Sequence, residues 1–201
     1  MPLVGCVATN QVRKELGLWA EVAARLVAQL NGNVRLWLHV DTQHRHWSVP
    51  ALIADFQLGE YVEVTGPPMD DREMARRYHE CSITFLPSTG EGFGFPLFES
   101  LACGTPVVHG AYAGGASLME SCGLSHMLVP PVAWRLEGVH NCVRPVYRAE
   151  DFTLAIVQTL EQHRAMGIVR EDIAGSVEHL RMMKLGHTWK RWFREGIAWR
   201  A

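Results

Sequence analysis

Short apolar runs alternate with helically spaced segments along most of this chain. That alternation restricts the fold more than any other feature. "PLVGCVA" (2–8) is continuously apolar, as a strand buried on both faces must be. "RKELGLWAEVAARLVAQL" (13–30) follows with Leu16, Trp19, Ala23, Leu26, Val27 and Leu30 along one side of a helix. "NVRLWLHV" (33–40) reads as a second strand, "PALIADFQLG" (50–59) as a short helix closed by Gly59, and "YVEVTG" (61–66) as a third strand. Asp70 or Asp71 can cap a helix that runs to about Tyr78. "CSITFLP" (81–87) is a fourth strand, and a helix is predicted from Pro96 to about Ala102, with Gly104 at its end. "TPVVHG" and "HMLVPP" supply a fifth and a sixth strand. A loop is predicted over roughly 130–150, then helices over 151–165, about 169–183 and 187–200.

This order predicts an α/β fold: a Rossmann-like, doubly wound parallel sheet of about six strands, with helices on both faces and a helical C-terminal tail. Ligands bind such sheets at the carboxyl ends of the strands. The loops there are 9–13, 41–48, 65–69, 87–95 and 109–115, and chemistry is to be sought in them.

The bulk numbers exclude several classes. The chain has 201 residues, is 48% hydrophobic and carries a net charge of −2, so it builds a real core and offers no basic field to nucleic acid or anionic membrane. Five scattered cysteines with no C-x-x-C argue for reduced thiols rather than a disulfide framework or a zinc site. The first residues lack a basic n-region, and no stretch approaches the ~20 apolar residues of a membrane span. A cytoplasmic location is expected. His44 and His46 form H-R-H in a loop with no acid or cysteine cluster beside them, and are read as solvated.

"EGFGFPLFESLACGTPVV" (91–108) holds the densest chemistry. Glu91 sits in a glycine-rich turn ahead of a helix N-terminus, where backbone N–H groups are free. Gly92 and Gly94 let the backbone approach a ligand closely. Glu99 lies about one turn into the helix, and two acids at this spacing can accept bonds from vicinal hydroxyls. Spacing alone leaves them equally readable as a solvated loop acid and a surface helix acid. Arg13 and Lys14 follow the first strand; two cations at a helix start are unfavourable unless an anion meets them.

"PSTGEGFGFPLFESLACGTPVV" resembles the donor-site signature of the retaining GT-B glycosyltransferases of glycosyltransferase group 1. The likeness is dense over about 81–108 and extends from residue 2 to about 165. It implies one Rossmann-like, nucleotide-sugar-binding domain over residues 1–201, with 166–201 a helical tail that packs on an acceptor domain outside this chain. It implies that Glu91 bonds donor-sugar hydroxyls and that Arg13 and Lys14 clamp the diphosphate. It further implies that Glu99 holds the ribose, that the amides of Gly92, Phe93 and Gly94 line the sugar and diphosphate, and that backbone from Gly66 to Met69 meets the base. The donor is then a nucleoside-diphosphate sugar, with no metal and no other cofactor. The chain departs from the family pattern at Gly5-Cys6, where many relatives carry Gly-Arg, and at Leu118, where relatives carry Glu after the Gly114-Gly115 pair; Glu120 comes later.

The resemblance implies the donor half of a transferase whose isolated form is inactive because the acceptor surface is elsewhere. A nucleotide-sugar-binding regulatory module and half of a GT-B sugar-nucleotide epimerase are the rival readings. Trp189, Trp192 and Trp199 align on one helix face, which either closes this domain's core or is an interdomain face able to drive self-association.

Overall fold

A computed structural model describes residues 1–43, 46–138, 141–167 and 170–180. Six strands form one parallel sheet: β1 (Leu3–Ala8), β2 (Arg35–Val40), β3 (Val62–Thr65), β4 (Ile83–Leu86), β5 (Val107–Gly110) and β6 (Leu128–Val129). Their order is β3-β2-β1-β4-β5-β6. β1 pairs with β2 in register from Leu3↔Arg35 to Ala8↔Val40, and with β4 at Val4↔Ile83 and Gly5↔Thr84. Burial on both faces explains the continuous apolar runs. In β2, Leu36, Leu38 and Val40 join the main core, while Trp37 points the other way and packs with Tyr78 and Cys81.

Among the described residues seven α-helices cover the sheet: α1 (Leu16–Gln29), α2 (Val49–Asp55), α3 (Asp71–Glu80), α4 (Phe95–Ala102), α5 (Ala113–Ser121), α6 (Ala149–Met166) and α7 (Arg170–Ser176). On one face α1 packs against α2 and α6; on the other α4 packs against α3 and α7. Asp70 caps α3 by accepting the Glu73 amide at 2.8 Å. Within the segment predicted as the C-terminal tail, α7 and a single 3-10 turn at Glu178–Leu180 are described; Trp189, Trp192 and Trp199 lie outside the described residues.

Two local expectations are corrected. The helix predicted from Arg13 begins at Leu16: Val12–Lys14 form a 3-10 turn, and Glu15 turns the chain in a left-handed conformation (φ 49°). Gly5-Cys6 lies inside β1, as the apolar run over 2–8 implies, and a Cβ on Gly5 would stand 2.7 Å from Cys81 Sγ. The segment predicted as a loop over 130–150 contains an antiparallel hairpin, β7 (Ala133–Glu137) with β8 (Cys142–Val146), which pairs Arg135 with Arg144.

Candidate functional site

The sheet order reverses direction between β1 and β4, and the connections leaving these neighbours diverge to open a crevice at their carboxyl ends. The loops that meet there are tied together. The Thr89 amide donates to Arg13 O at 2.8 Å, and the Ser88 and Thr89 hydroxyls donate to the same carbonyl at 3.2 Å. The Arg13 guanidinium donates in return to Gly90 O.

Within this join Lys14 Nζ is hydrogen-bonded to Glu91 Oε1, and Arg13 Nη1 stands 3.4 Å from Glu91 Oε2. The Lys14 and Glu91 side chains are 6% and 8% exposed, so the anion that meets Lys14 in this arrangement is a buried carboxylate of the chain itself. Burial by itself pushes the Glu91 carboxyl up. The Lys14 hydrogen bond and charge, with Ser88 and Arg13, outweigh burial and hold it below the ordinary carboxylate value.

The crevice opens into a cleft of about 510 Å³. Arg13, Lys14 and Glu91 line it at the β1–β4 junction, and Gly92, Phe93 and Gly94 run along it. The amides of these last three residues donate to no acceptor among the described residues. They precede α4, whose N-cap is Gly94 at φ 82°. Gly94 is buried while Gly92 and Phe93 are exposed, and N–H groups left open beside cations can donate to an anion or to a hydroxyl oxygen.

Glu99, on the second turn of α4, also lines the cleft, and Tyr78 Oη donates to its Oε2 at 2.9 Å. Tyr78 is 1% exposed and stands edge-on to Trp37, with centroids 5.9 Å apart. Burial and then the Glu99 charge push the phenol well above its usual range, so it remains a donor.

The loop after β3 contributes less than expected. Pro67 lines the cleft, but Gly66 and Met69 are not among the lining residues; Met74 of α3 stands there instead. The Gly114-Gly115 pair forms the start of α5 rather than a loop. A Cβ on Gly114 would lie 1.8 Å from Gly92 O, and one on Gly115 would lie 2.5 Å from the His109 ring. The pair therefore serves close packing of the cleft loop. Leu118 is buried in the core and Glu120 is exposed.

Sequence reasoning missed Tyr78, His39, Met74 and Arg144. Tyr78 marked only the end of a predicted helix, and His39 sat inside a predicted strand. Arg144 lay in the supposed loop; its Nη1 donates to Thr89 O at 3.2 Å and fills the space above Gly90. Among the described residues no three His, Cys, Asp or Glu side chains gather as a metal site, and no helix is long and apolar enough to cross a membrane.

A family model described as "Glycosyl transferases group 1" matches residues 1–162. The chain is 39% identical over 132 residues to the D-inositol 3-phosphate glycosyltransferase of Acidothermus cellulolyticus, covering 62% of this chain and 29% of that protein. It is 35% identical over 109 residues to D-inositol 3-phosphate glycosyltransferase 1 of Catenulispora acidiphila, covering 54% and 25%. The matched segments span 29% and 25% of the length of these curated relatives. In fold it is similar to Anabaena Alr3699/HepE in complex with UDP and glucose (TM-score 0.72, 16% identity, 96% of this chain and 48% of that one). Sucrose-phosphate synthase from Thermosynechococcus elongatus is also similar (TM-score 0.69, 23% identity, 96% and 46%). The sheet is the doubly wound half of a GT-B fold, and the chain belongs to the group 1 glycosyl transferases.

Proposed function

We propose that this chain is the donor-binding half of a retaining glycosyltransferase that takes its sugar from a nucleoside-diphosphate sugar without a metal ion. The observation that carries the reading is the Lys14–Glu91 pair at the β1–β4 crevice. It lies beside three unpaired amides, with Glu99 on the same cleft. Lys14 and Arg13 meet the diphosphate, Glu91 and the amides of Gly92, Phe93 and Gly94 meet the sugar, and Glu99 accepts from the ribose hydroxyls.

Negative charge grows on the diphosphate as the glycosidic bond breaks. Cations and amides fixed before the reaction stabilise that charge without reorganising, which lowers the barrier more than it aids ground-state binding. In a retaining transfer the acceptor hydroxyl attacks from the face that the diphosphate leaves, and the leaving phosphate takes its proton. Holding that hydroxyl is the task of an acceptor domain or subunit outside this chain. Lost positioning costs several kcal/mol of barrier, on the order of several powers of ten in rate.

Calorimetry with UDP, GDP and ADP, with and without chelator, tests the binding half of the reading. Donor turnover over an acceptor panel that includes inositol phosphates tests the rest. Binding that survives chelator, without transfer by the 201-residue chain alone, is expected. Binding abolished by chelator contradicts metal independence, and robust transfer by the isolated chain contradicts the need for a second half.

A further inference from the structure

We infer that His39 selects the nucleobase: it presents a fixed Nε2–H donor to the base end of the cleft and favours bases with a ring carbonyl over bases with an amino group at the same place. The inference rests on the donor-site reading above, which puts a nucleoside diphosphate in the cleft.

The argument is a count of protons. Trp37 Nε1 bonds Thr65 Oγ1 at 2.8 Å, and an indole nitrogen can only donate. His39 Nδ1 lies 2.9 Å from the same oxygen. The Thr65 hydroxyl proton needs an acceptor, and among the described residues its other partner is His39 Nδ1. The arrangement that satisfies every one of these groups from the described residues alone has Thr65 donating to His39 Nδ1, and the neutral imidazole then carries its own proton on Nε2. Burial, then the charge of Arg77, lowers the His39 pKa and keeps the ring neutral. Turning the ring over would replace Nδ1 by a carbon against the hydroxyl, so the tautomer and the orientation are fixed together.

His39 lines the cleft; its Nε2 has no partner among the described residues and is not one of the atoms sealed from solvent. The place is the base end for a topological reason. Lys14 and Glu91 hold the β1–β4 junction, and β2 and β3 lie on the other side of β1. A ligand with its diphosphate on Lys14 extends its nucleoside toward the ends of β2 and β3, where His39, Pro67 and Met74 line the cleft. Asp41 lines it too, with Oδ1 accepting the Gln43 amide at 2.9 Å. A donor beside a carboxylate matches the O=C–N–H edge of uracil or hypoxanthine. The amino edge of cytosine or adenine sets donor against donor, and a site built for one pattern rejects the other.

The test compares UDP with CDP and IDP with ADP, pairs that exchange a ring carbonyl for an amino group. Calorimetry on the 201-residue chain near neutral pH should favour UDP and IDP about tenfold or more. His39→Ala should bring both ratios to near unity while UDP still binds. Thr65→Val leaves the imidazole in place but frees its tautomer, and should lower the ratios; Thr65→Ser should restore them. Nitrogen-15 NMR of the His39 ring should show the Nε2–H tautomer. A preference for CDP and ADP, ratios unchanged in His39→Ala, or an Nδ1–H tautomer overturns the inference. Binding of all four without discrimination sinks this inference alone, whereas binding of none sinks the donor-site reading along with it.

Discussion

The Lys14 ammonium is hydrogen-bonded to the Glu91 carboxylate, so the cation after β1 already has a counter-ion from the loop after β4. Both side chains are nearly closed to water, and an anion that uses Lys14 must take it from Glu91. Binding a diphosphate is then an exchange of partners, which releases Glu91 for a sugar hydroxyl.

Glu91→Gln should therefore act in opposite directions on two ligands. It frees Lys14, so a nucleoside diphosphate should bind more tightly, by about tenfold, the scale of one charge-assisted bond. The full nucleotide-sugar should gain less or lose affinity, because the released carboxylate is missing. The ligand-free variant should melt earlier, since a buried cation has lost its partner. Calorimetry with both ligands and thermal melts read all three effects; equal changes for both ligands would count against the exchange.

Tyr78 is a positioning residue for Glu99. Tyr78→Phe removes the 2.9 Å bond behind the carboxylate and keeps the ring that packs on Trp37. Nucleoside diphosphate affinity should fall by roughly three- to tenfold, the worth of one neutral hydrogen bond. A 2′,3′-dideoxy analogue should show no such fall, because it lacks the hydroxyls that Glu99 accepts from. A fall of the same size for both ligands would mean that Tyr78 acts on the fold and not through Glu99.

Two glycines beside the same loop should respond differently. A Cβ on Gly114 would stand 1.8 Å from the backbone oxygen of Gly92, whereas a Cβ on Gly92 meets nothing within 4 Å. Gly114→Ala should cost stability of about 1–3 kcal/mol and displace the cleft loop, so ligand affinity falls as well. Gly92→Ala should leave the melting temperature within a degree or two and act on ligand binding alone. Paired melts and titrations of the two variants separate the cases.

Acid should weaken the fold through its histidines before its carboxylates. Burial lowers the pKa of His39, His109 and His163 from the ordinary 6.5. His109 is 1% exposed and its Nδ1 bonds Gly110 O at 2.6 Å, with no partner for Nε2 among the described residues. Below 6.5 the unfolded chain binds protons that the folded chain resists, so stability is full above that value and declines as pH falls. Glu91 is also depressed, and its contribution persists until pH drops below the ordinary carboxylate value of 4.5. Denaturant midpoints across these windows should fall first below 6.5, and His109→Gln should flatten part of that slope.

The main sheet was legible because its strands are buried on both faces, and such burial leaves unbroken apolar runs like "PLVGCVA". The Glu91–Glu99 stretch was legible because Gly94, as a left-handed N-cap, and Pro96, in the first turn, each have a geometric duty at a helix start. The β7–β8 hairpin was not, because its outward side chains are apolar: Trp134, Leu136 and Val143 are all more than half exposed. Pro145 within β8 obscured the alternation further. Tyr78 and His39 escaped for a different reason. Their partners, Glu99 and Thr65, are 21 and 26 residues away, and no local pattern records a bond made across helices or strands.

The hairpin reaches both site loops at once. Arg135 pairs with Glu15, which ends the turn of Arg13 and Lys14, and Arg144 holds the carbonyl of Thr89, two residues before Glu91. Lifting that one element releases both loops together. Their transient openings should then share a single event: deuterium should enter the Glu15 and Thr89 amides at matching rates, and Arg144→Ala should quicken both.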